Sequence, residues 1–353
     1  MDKVQKLREQ FAEHGIDGFL ITNDYNRRYM TNFTGTAGVA LISETGAVFI
    51  TDFRYVEQAT RQIEGYEIVQ HTQTLIEEVA KQVERLGIKK LGFEQDDLSY
   101  ATFSAYEKAI KATLVPISGV VEKLRLIKSE AEIKILKEAA EIADAAFRHI
   151  LDFIRPGVRE IDVANELEFF MRKHGATSSS FDIIVASGVR SALPHGVATE
   201  KVIEKGELVT LDFGAYYKGY CSDMTRTIAV GEVSDELKRI YDVVLQAQLR
   251  GVEHIRPGMT GREADALTRD YISACGFGEY FGHSTGHGLG MEVHEMPALS
   301  MRSDTVLQPG MVVTVEPGIY IAGLGGVRIE DDIVITENGN ERLTLSPKDL
   351  ITL

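Results

Sequence analysis

The strongest constraint on this chain is that one pattern of segments occurs in it twice. Ile-Arg-Pro-Gly stands at residues 154–157 and again at 255–258, each time after one helical pattern and before another. Roughly fifty residues after each copy comes a matching strand-like run, GELVTLDFGAYYKG from Gly206 and GMVVTVEPGIYIAG from Gly310. Asp212 holds in the first run the place that Glu316 holds in the second, and a further carboxylate follows on the next strand-like run, Asp223 and then Glu330. Three segments matching in the same order argue against coincidence. They point to a domain of two related halves whose acids converge on a pseudo-twofold axis.

Those acids restrict the chemistry. LVTLDFGAYY and VVTVEPGIYI are apolar on both sides of the acid, so the carboxylates are expected to be removed from water, where an isolated ionised carboxylate is strongly unfavourable. Four of them would repel one another unless they share protons, pair with arginine or lysine, or bind cations. Arg226 and Arg328 lie nearby in sequence, but two arginines cannot neutralise four acids. Divalent ions such as Mn²⁺, Co²⁺ or Zn²⁺ suit a carboxylate-rich site with an imidazole, and bridging carboxylates can hold two ions roughly 3.5 Å apart.

An imidazole is offered by GHSTGHGLGMEVHE, which carries His283, His287 and His294 among four glycines. The glycines argue against a helix, and the alternation in GLGMEVHE predicts a strand. The segment holds no HExxH, and its GxGxG string lacks the following helix and Lys-Ser/Thr of a phosphate loop. The remainder is ordinary for a globular protein. Of 353 residues, 44% are apolar and 26% charged, and 53 acids against 38 lysines and arginines give a net charge of −15, which disfavours nucleic acid as a partner. Two cysteines, Cys221 and Cys275, build no disulfide framework and suit a reducing cytoplasm, and no apolar run is long enough for a membrane span.

Along the chain, Val4, Leu7 and Phe11 mark a first helix, GFLIT a strand, and VALIS with AVFIT a hairpin turning at Glu44 to Gly46. Residues 1–122 thus read as a small α/β domain with a mixed sheet. From Lys128 the pattern changes to a long amphipathic helix opening on Ser129, with Glu132 three residues on. Further helices are expected at Ile161 to His174, Asp235 to His254 and Glu263 to Cys275. Strands are expected at DIIVAS, Leu208 to Phe213, about Tyr220 to Val230, MVVTVEPGIYI and VRIEDDIVI.

LDFGAYYKGYCSDMTRT, GHSTGHGLGMEVHE, VVTVEPGIY and GVRIEDDIVI together resemble the pita-bread metallopeptidases, the group of methionine aminopeptidase, prolidase and aminopeptidase P. SFDIIVASGVRSALPHG looks like the signature of the Xaa-Pro branch, and NRRYMTNFTG with DFRYVEQA is similar to the domain preceding the catalytic domain in prolidases, aminopeptidases P and creatinases. The resemblance implies an α+β chain, with a creatinase/prolidase-type α/β domain over 1–122 and a pita-bread catalytic domain with its internal repeat over 128–353. It implies two divalent ions, Mn²⁺ foremost with Co²⁺ or Zn²⁺ as alternatives, held by Asp212, Asp223, His287, Glu316 and Glu330. Asp212 would chelate one ion, His287 and Glu316 the other, and Asp223 and Glu330 would bridge.

By the same resemblance Glu316 would shuttle the proton of the attacking water, His294 would stabilise the tetrahedral intermediate, and His195 would contact substrate at the scissile bond or the proline. Arg328, two residues before Glu330 on a strand, would pair with that bridging carboxylate and hold it. His283 and Tyr320 fall where the family lines its proline pocket. Phe181 is pocket or packing, Thr225 a hydrogen-bond partner of a ligand, and Asp52, Arg54 and Tyr55 an ion pair closing a turn. The activity implied is cleavage before proline in small peptides by a cytoplasmic homodimer, as a dipeptidase ahead of an aminopeptidase P. The compact length favours the dipeptidase. Against it, Ala298 stands where some prolidases carry an arginine, with Arg302 four residues on as a substitute. A metal-free creatinase-like enzyme and a peptide-binding module would each be expected to have lost ligands, and all five stand here.

Overall fold

The structure, a computed structural model, describes residues 3–353. It divides into two compact units, one ending at Arg125 and one running from Leu126 to Leu353. Among the described residues no helix is long and apolar enough to cross a membrane.

In the first unit, β1 (Gly18–Ile21), β2 (Val39–Ser43), β3 (Ala47–Thr51), β4 (Glu67–Gln70), β5 (Lys90–Glu94) and β6 (Thr113–Ile117) form one sheet in the order β4-β3-β2-β1-β5-β6. The β1–β2 and β2–β3 pairs are antiparallel and the others parallel, so the sheet is mixed. The β2–β3 turn closes through Ser43 N–H to Gly46 O at 2.8 Å. The expected first helix is two, Lys3–Glu9 and Phe11–His14. The chain turns at Gln10, whose N–H reaches back only to Leu7 O, yet Val4, Leu7 and Phe11 are all buried. Asp52 and Arg54 form a bidentate pair at 2.8 and 2.9 Å.

The second unit is built twice over. Helices Glu130–Ile150 and Glu160–Lys173 precede an antiparallel sheet of Ile184–Ser187, Glu207–Phe213 and Met224–Val230. Helices Asp235–His254 and Gly261–Ala274 precede a sheet containing Gly286–Gly288, Val312–Val315 and Asp331–Ile335. Ser129 caps the first helix in a reciprocal box with Glu132, as its spacing predicts. The duplication extends to single hydrogen bonds. Gly157 N–H meets Ile203 O and Gly258 N–H meets Leu307 O, both at 2.9 Å, and the return bonds Ile203 to Val158 and Leu307 to Met259 are both 2.8 Å. Each half buries its own apolar cluster, Phe147, Leu167 and Val209 in one and Ile255, Leu299 and Val313 in the other.

Three expected strands are interrupted, each beside an acid. Tyr220–Cys221 and Met224–Val230 are separate, with Asp223 between them. Val312–Val315 ends before Glu316, and the chain resumes at Gly318–Ile321. Gly325–Arg328 and Asp331–Ile335 leave Glu330 in the gap. A regular strand would send alternate side chains to opposite faces. The breaks free these acids to turn toward one point. GLGMEVHE is likewise no continuous strand, because Gly286–Gly288 gives way to a turn closed by Gly290 N–H to Glu292 O at 3.1 Å, and pairing resumes only at Glu295–Leu299.

Candidate active site

The two halves meet along Glu207–Phe213, Met224–Val230 and the chain around Glu330. Asp212 lies opposite Thr225 in the antiparallel register, and Glu330 N–H donates to Thr225 O at 3.0 Å, so an acid of each half is fixed to the same residue. Close backbone approach makes this possible. A Cβ on Gly214 would sit 1.7 Å from Ser222 O and one on Gly286 1.9 Å from Thr314 O, so glycine is needed beside both the Asp212 strand and His287. The result is a cavity of about 540 Å³ whose wall includes Asp212, Asp223, His287, Glu316 and Glu330. His195, His283, His294 and Arg328 stand on the same wall, with Phe181, Ile184, Val197 and Val293 as apolar surface.

The carboxylates are crowded and dry. Asp223, Glu330 and His287 offer ligand atoms all within 4.8 Å of one another, and Glu316 Oε1 lies 3.3 Å from His287 Nε2. Burial, followed by the charges of Glu330 and Asp212, pushes the Asp223 carboxyl well above its ordinary range. Burial and then Glu316 do the same to Glu330, and burial pushes Glu316 up to about 7. Asp212 Oδ1 and Asp223 Oδ1 are buried with no hydrogen-bond partner.

His287 identifies what is suited to fill the gap. Burial holds its pKa below the usual value, so the ring is neutral, and Nδ1 lies 3.0 Å from Gly288 O, an acceptor only. The proton is therefore on Nδ1, and the Nε2 lone pair faces Asp223 Oδ2 at 3.6 Å and Glu316 Oε1 at 3.3 Å. A lone pair opposed to two carboxylates is unfavourable unless a proton or a metal cation lies between them. This donor set, with its orphaned buried oxygens, fits divalent ions.

Arg328 differs from expectation. Rather than pairing with Glu330 it binds Asp212, Nη2 to Oδ2 at 2.6 Å, because the strand ends between positions 328 and 330 and the two side chains no longer share a face. Glu330 is held instead by Thr225, whose Oγ1 donates at 2.6 Å and accepts from Arg328 Nε at 3.1 Å. Arg226 does not serve the four acids either. It binds Asp331 at 2.7 Å and, with Lys348, holds that carboxyl down to about 2 against the burial that would raise it.

Tyr320 is not on the cavity wall. Its hydroxyl accepts from Arg328 Nη1 at 2.9 Å and lies 2.8 Å from His283 Nε2. Burial lowers His283 to about 4, and its Nδ1 faces Ser284 O at 2.8 Å, so Nε2 accepts and the tyrosine hydroxyl donates. The chain Arg328, Tyr320, His283 thus orients one wall, and only His283 of the expected proline-pocket pair is positioned to touch a substrate.

Two residues escape a reading of motifs alone. Thr314 Oγ1 accepts from His287 N–H at 3.1 Å and donates to Glu316 Oε1 at 3.2 Å, joining two expected ligands. Asp332 accepts the N–H of Asp223 at 2.9 Å. The available signals are weak: Thr314 is two positions before Glu316 on a strand, and Asp332 closes the acidic run after Arg328.

A pH effect follows. Folding raises the pKa of Asp223, Glu316 and Glu330 above their unfolded values, so in metal-free protein their contribution to stability is fully present below the ordinary carboxylate range. It is lost as pH rises through the folded value, about 7 for Glu316. A divalent ion takes the place of those protons, so binding should release them and tighten with pH. The gain in melting temperature on adding Mn²⁺ to chelated protein is therefore expected to be larger at pH 8 than at pH 5. An equal gain at both would contradict a carboxylate-lined metal site.

Comparison with known proteins agrees with this chemistry. Residues 134–337 match Metallopeptidase family M24, and residues 3–127 match the Creatinase/Prolidase N-terminal domain. The Xaa-Pro dipeptidase of Pyrococcus horikoshii is 42% identical over 99% of this chain and 99% of its own length. The solved Xaa-Pro dipeptidase from Bacillus anthracis superposes with a TM-score of 0.99 at 73% identity, covering 100% of this chain and 99% of that one. The X-Pro aminopeptidase from Thermotoga maritima gives 0.92 at 42%, covering 98% and 100%. The pita-bread resemblance of the motifs and the α+β fold class are both upheld. The chain belongs to metallopeptidase family M24 and carries the creatinase/prolidase N-terminal domain.

Proposed function

We propose that this chain hydrolyses the peptide bond preceding proline in small peptides, with Xaa-Pro dipeptides as preferred substrates. The observation that carries the reading is the neutral His287 whose lone pair faces Asp223 and Glu316 inside a cavity of about 540 Å³, a size that admits a short peptide and excludes a folded chain. The dipeptidases of Pyrococcus horikoshii and Bacillus anthracis, similar over nearly the whole chain, support the substrate class.

Asp212, Asp223, His287, Glu316 and Glu330 would hold two divalent ions, of which Mn²⁺ is our choice. Such ions acidify water and polarise a carbonyl. The remaining chemistry belongs to the protein. Glu316, beside His287 on the cavity wall, would take the proton of the attacking water and return it to the proline nitrogen, which as a tertiary amide has no hydrogen of its own and must gain one to leave. His294, its ring centroid 4.4 Å from that of His287, would stabilise the carbonyl oxygen as it gains charge, and His195, on the same cavity wall, would contact substrate. Arg328 keeps Asp212 oriented. A homodimer in the cytoplasm completes the reading, on the resemblance of the first unit to the domain that pairs in this family.

Aminopeptidase P activity is the second reading. Ala298 lies on the cavity wall and Arg302 is exposed, so neither supplies a buried cation for the free carboxylate of a dipeptide, and the Thermotoga maritima enzyme is an X-Pro aminopeptidase. Matched substrates decide between the two. We expect kcat/KM for Xaa-Pro to exceed that for Xaa-Pro-Yaa by about tenfold, a difference of ~1.4 kcal/mol. A preference for the tripeptide would overturn the dipeptidase assignment.

A further inference from the structure

The loop that brings His195 into the cavity has little apolar anchorage. Between the strand Ile184–Ser187 and Thr199, the side chains of Val189, Leu193 and Val197 stand 56%, 51% and 47% exposed, so apolar burial does not set the loop's path. Polar contacts do. Glu160, at the start of the helix Glu160–Lys173, is wholly buried. It accepts from Ser187 N–H at 2.8 Å and Ser187 Oγ at 2.9 Å on one side of the loop, and from Thr199 N–H at 3.1 Å and Thr199 Oγ1 at 2.8 Å on the other. One carboxylate thereby ties both ends of the excursion.

Arg190 joins those ends to the middle. Its Nη1 binds Glu160, and its Nη2 donates to Val197 O at 2.9 Å, two residues beyond His195. The planar fork suits this, because two donors of fixed geometry span a carboxylate and a carbonyl. The first half of the loop has an independent anchor, Gly326 N–H to Ser191 Oγ at 2.8 Å. The half that holds His195 meets the sheet at one short antiparallel bridge, Val197 opposite Ile184 with Ala198 N–H to Ile183 O at 3.3 Å, and the arginine reinforces that bridge from the other side of the loop. Arg190 itself does not line the cavity, whereas Pro194 and His195 do.

We propose that Arg190, clamped by Glu160, is the positioning residue that sets where His195 stands in the active site. The inference rests on the substrate contact assigned to His195 above. It predicts that Arg190 matters through His195 and not through metal binding or general stability.

A double-mutant cycle tests it. Arg190→Ala, His195→Ala and the double variant are compared on an Xaa-Pro dipeptide, with metal content and melting temperature measured for each. Arg190→Ala should retain its metal and lose roughly 10- to 100-fold in kcat/KM, the scale for a group misplaced by about 1 Å. With His195 already alanine, the same substitution should cost less than about threefold, the signature of two residues acting as one unit. Equal factors in both backgrounds would overturn the inference and leave the proposed function standing, as would loss of metal in Arg190→Ala. Full activity of His195→Ala would overturn the role of His195 and this inference with it. Should Arg190→Ala fail to fold, the cycle runs with Arg190→Lys, whose single ammonium keeps the charge beside Glu160 but cannot also hold Val197 O. An intermediate loss that vanishes in the His195→Ala background supports the positioning role of Arg190, and one that persists overturns it.

Discussion

Exhaustive chelation is expected to abolish hydrolysis of Xaa-Pro peptides, and Mn²⁺ or Co²⁺ to restore it, with about two ions bound per chain. The reason lies in the site's own balance. Asp212, Asp223, Glu316 and Glu330 line one cavity, and the single guanidinium on its wall, Arg328, is committed to Asp212. Burial, and after it the charges of the neighbouring acids, raises the carboxyls of Asp223, Glu316 and Glu330, so without cations these acids must share protons. Shared protons do not replace the pair of cations that would bring the pKa of a bound water near neutrality. Asp223→Asn and Glu330→Gln should each lower metal content and cut kcat/KM by more than about 100-fold, beyond the 10- to 100-fold usual for a residue that only supports a ligand. Titration with metal while mass is read under native conditions checks the stoichiometry. Turnover by demonstrably metal-free protein would defeat the scheme, and unchanged metal content in both variants would remove the bridging roles.

Much of this was open to a reading of residues because the decisive features are local or repeated. The capping box at Ser129 and Glu132 needs only the order of four residues, and the helix Asp235–His254 follows from its amphipathic spacing. The duplicated acids stand out since each half repeats the other's order, and one hydrogen-bond pattern serves both copies. Local periodicity fails where the chain departs from regular structure to serve the site. Strand alternation assigns Arg328 to Glu330, but the break at Ile329 turns the guanidinium to Asp212, 116 positions away and in the other half. The same alternation draws a strand through GLGMEVHE, where a turn intervenes and sets His294 beside His287. The family resemblance puts Tyr320 at a pocket position, yet its hydroxyl is taken up between Arg328 and His283. Glu160 and Arg190 sit thirty positions apart, and although Arg190 falls within SFDIIVASGVRSALPHG, nothing in that segment points to Glu160, so their joint role exists only once the loop is folded.

His294→Ala is expected to keep its metal and lose about 100-fold or more in turnover, the usual scale for removing a donor aimed at developing charge. His294 stands on the cavity wall, and burial, then the neighbouring His287, hold its pKa below the ordinary value, so the ring is neutral at working pH. A neutral imidazole can donate one N–H to an oxygen that becomes negative, without adding a fixed charge that would repel the cations. Its ring meets that of His287 edge-on at 4.4 Å. Its loss should therefore act on kcat more than on KM, since the oxygen gains charge only in the transition state. His294→Gln, which retains a donor on a side chain of similar reach, should recover part of the rate. Metal analysis beside steady-state kinetics separates the possibilities: if metal and activity disappear together, His294 is a ligand or a determinant of the fold, and if KM alone rises, it binds substrate in the ground state and the oxygen is stabilised elsewhere.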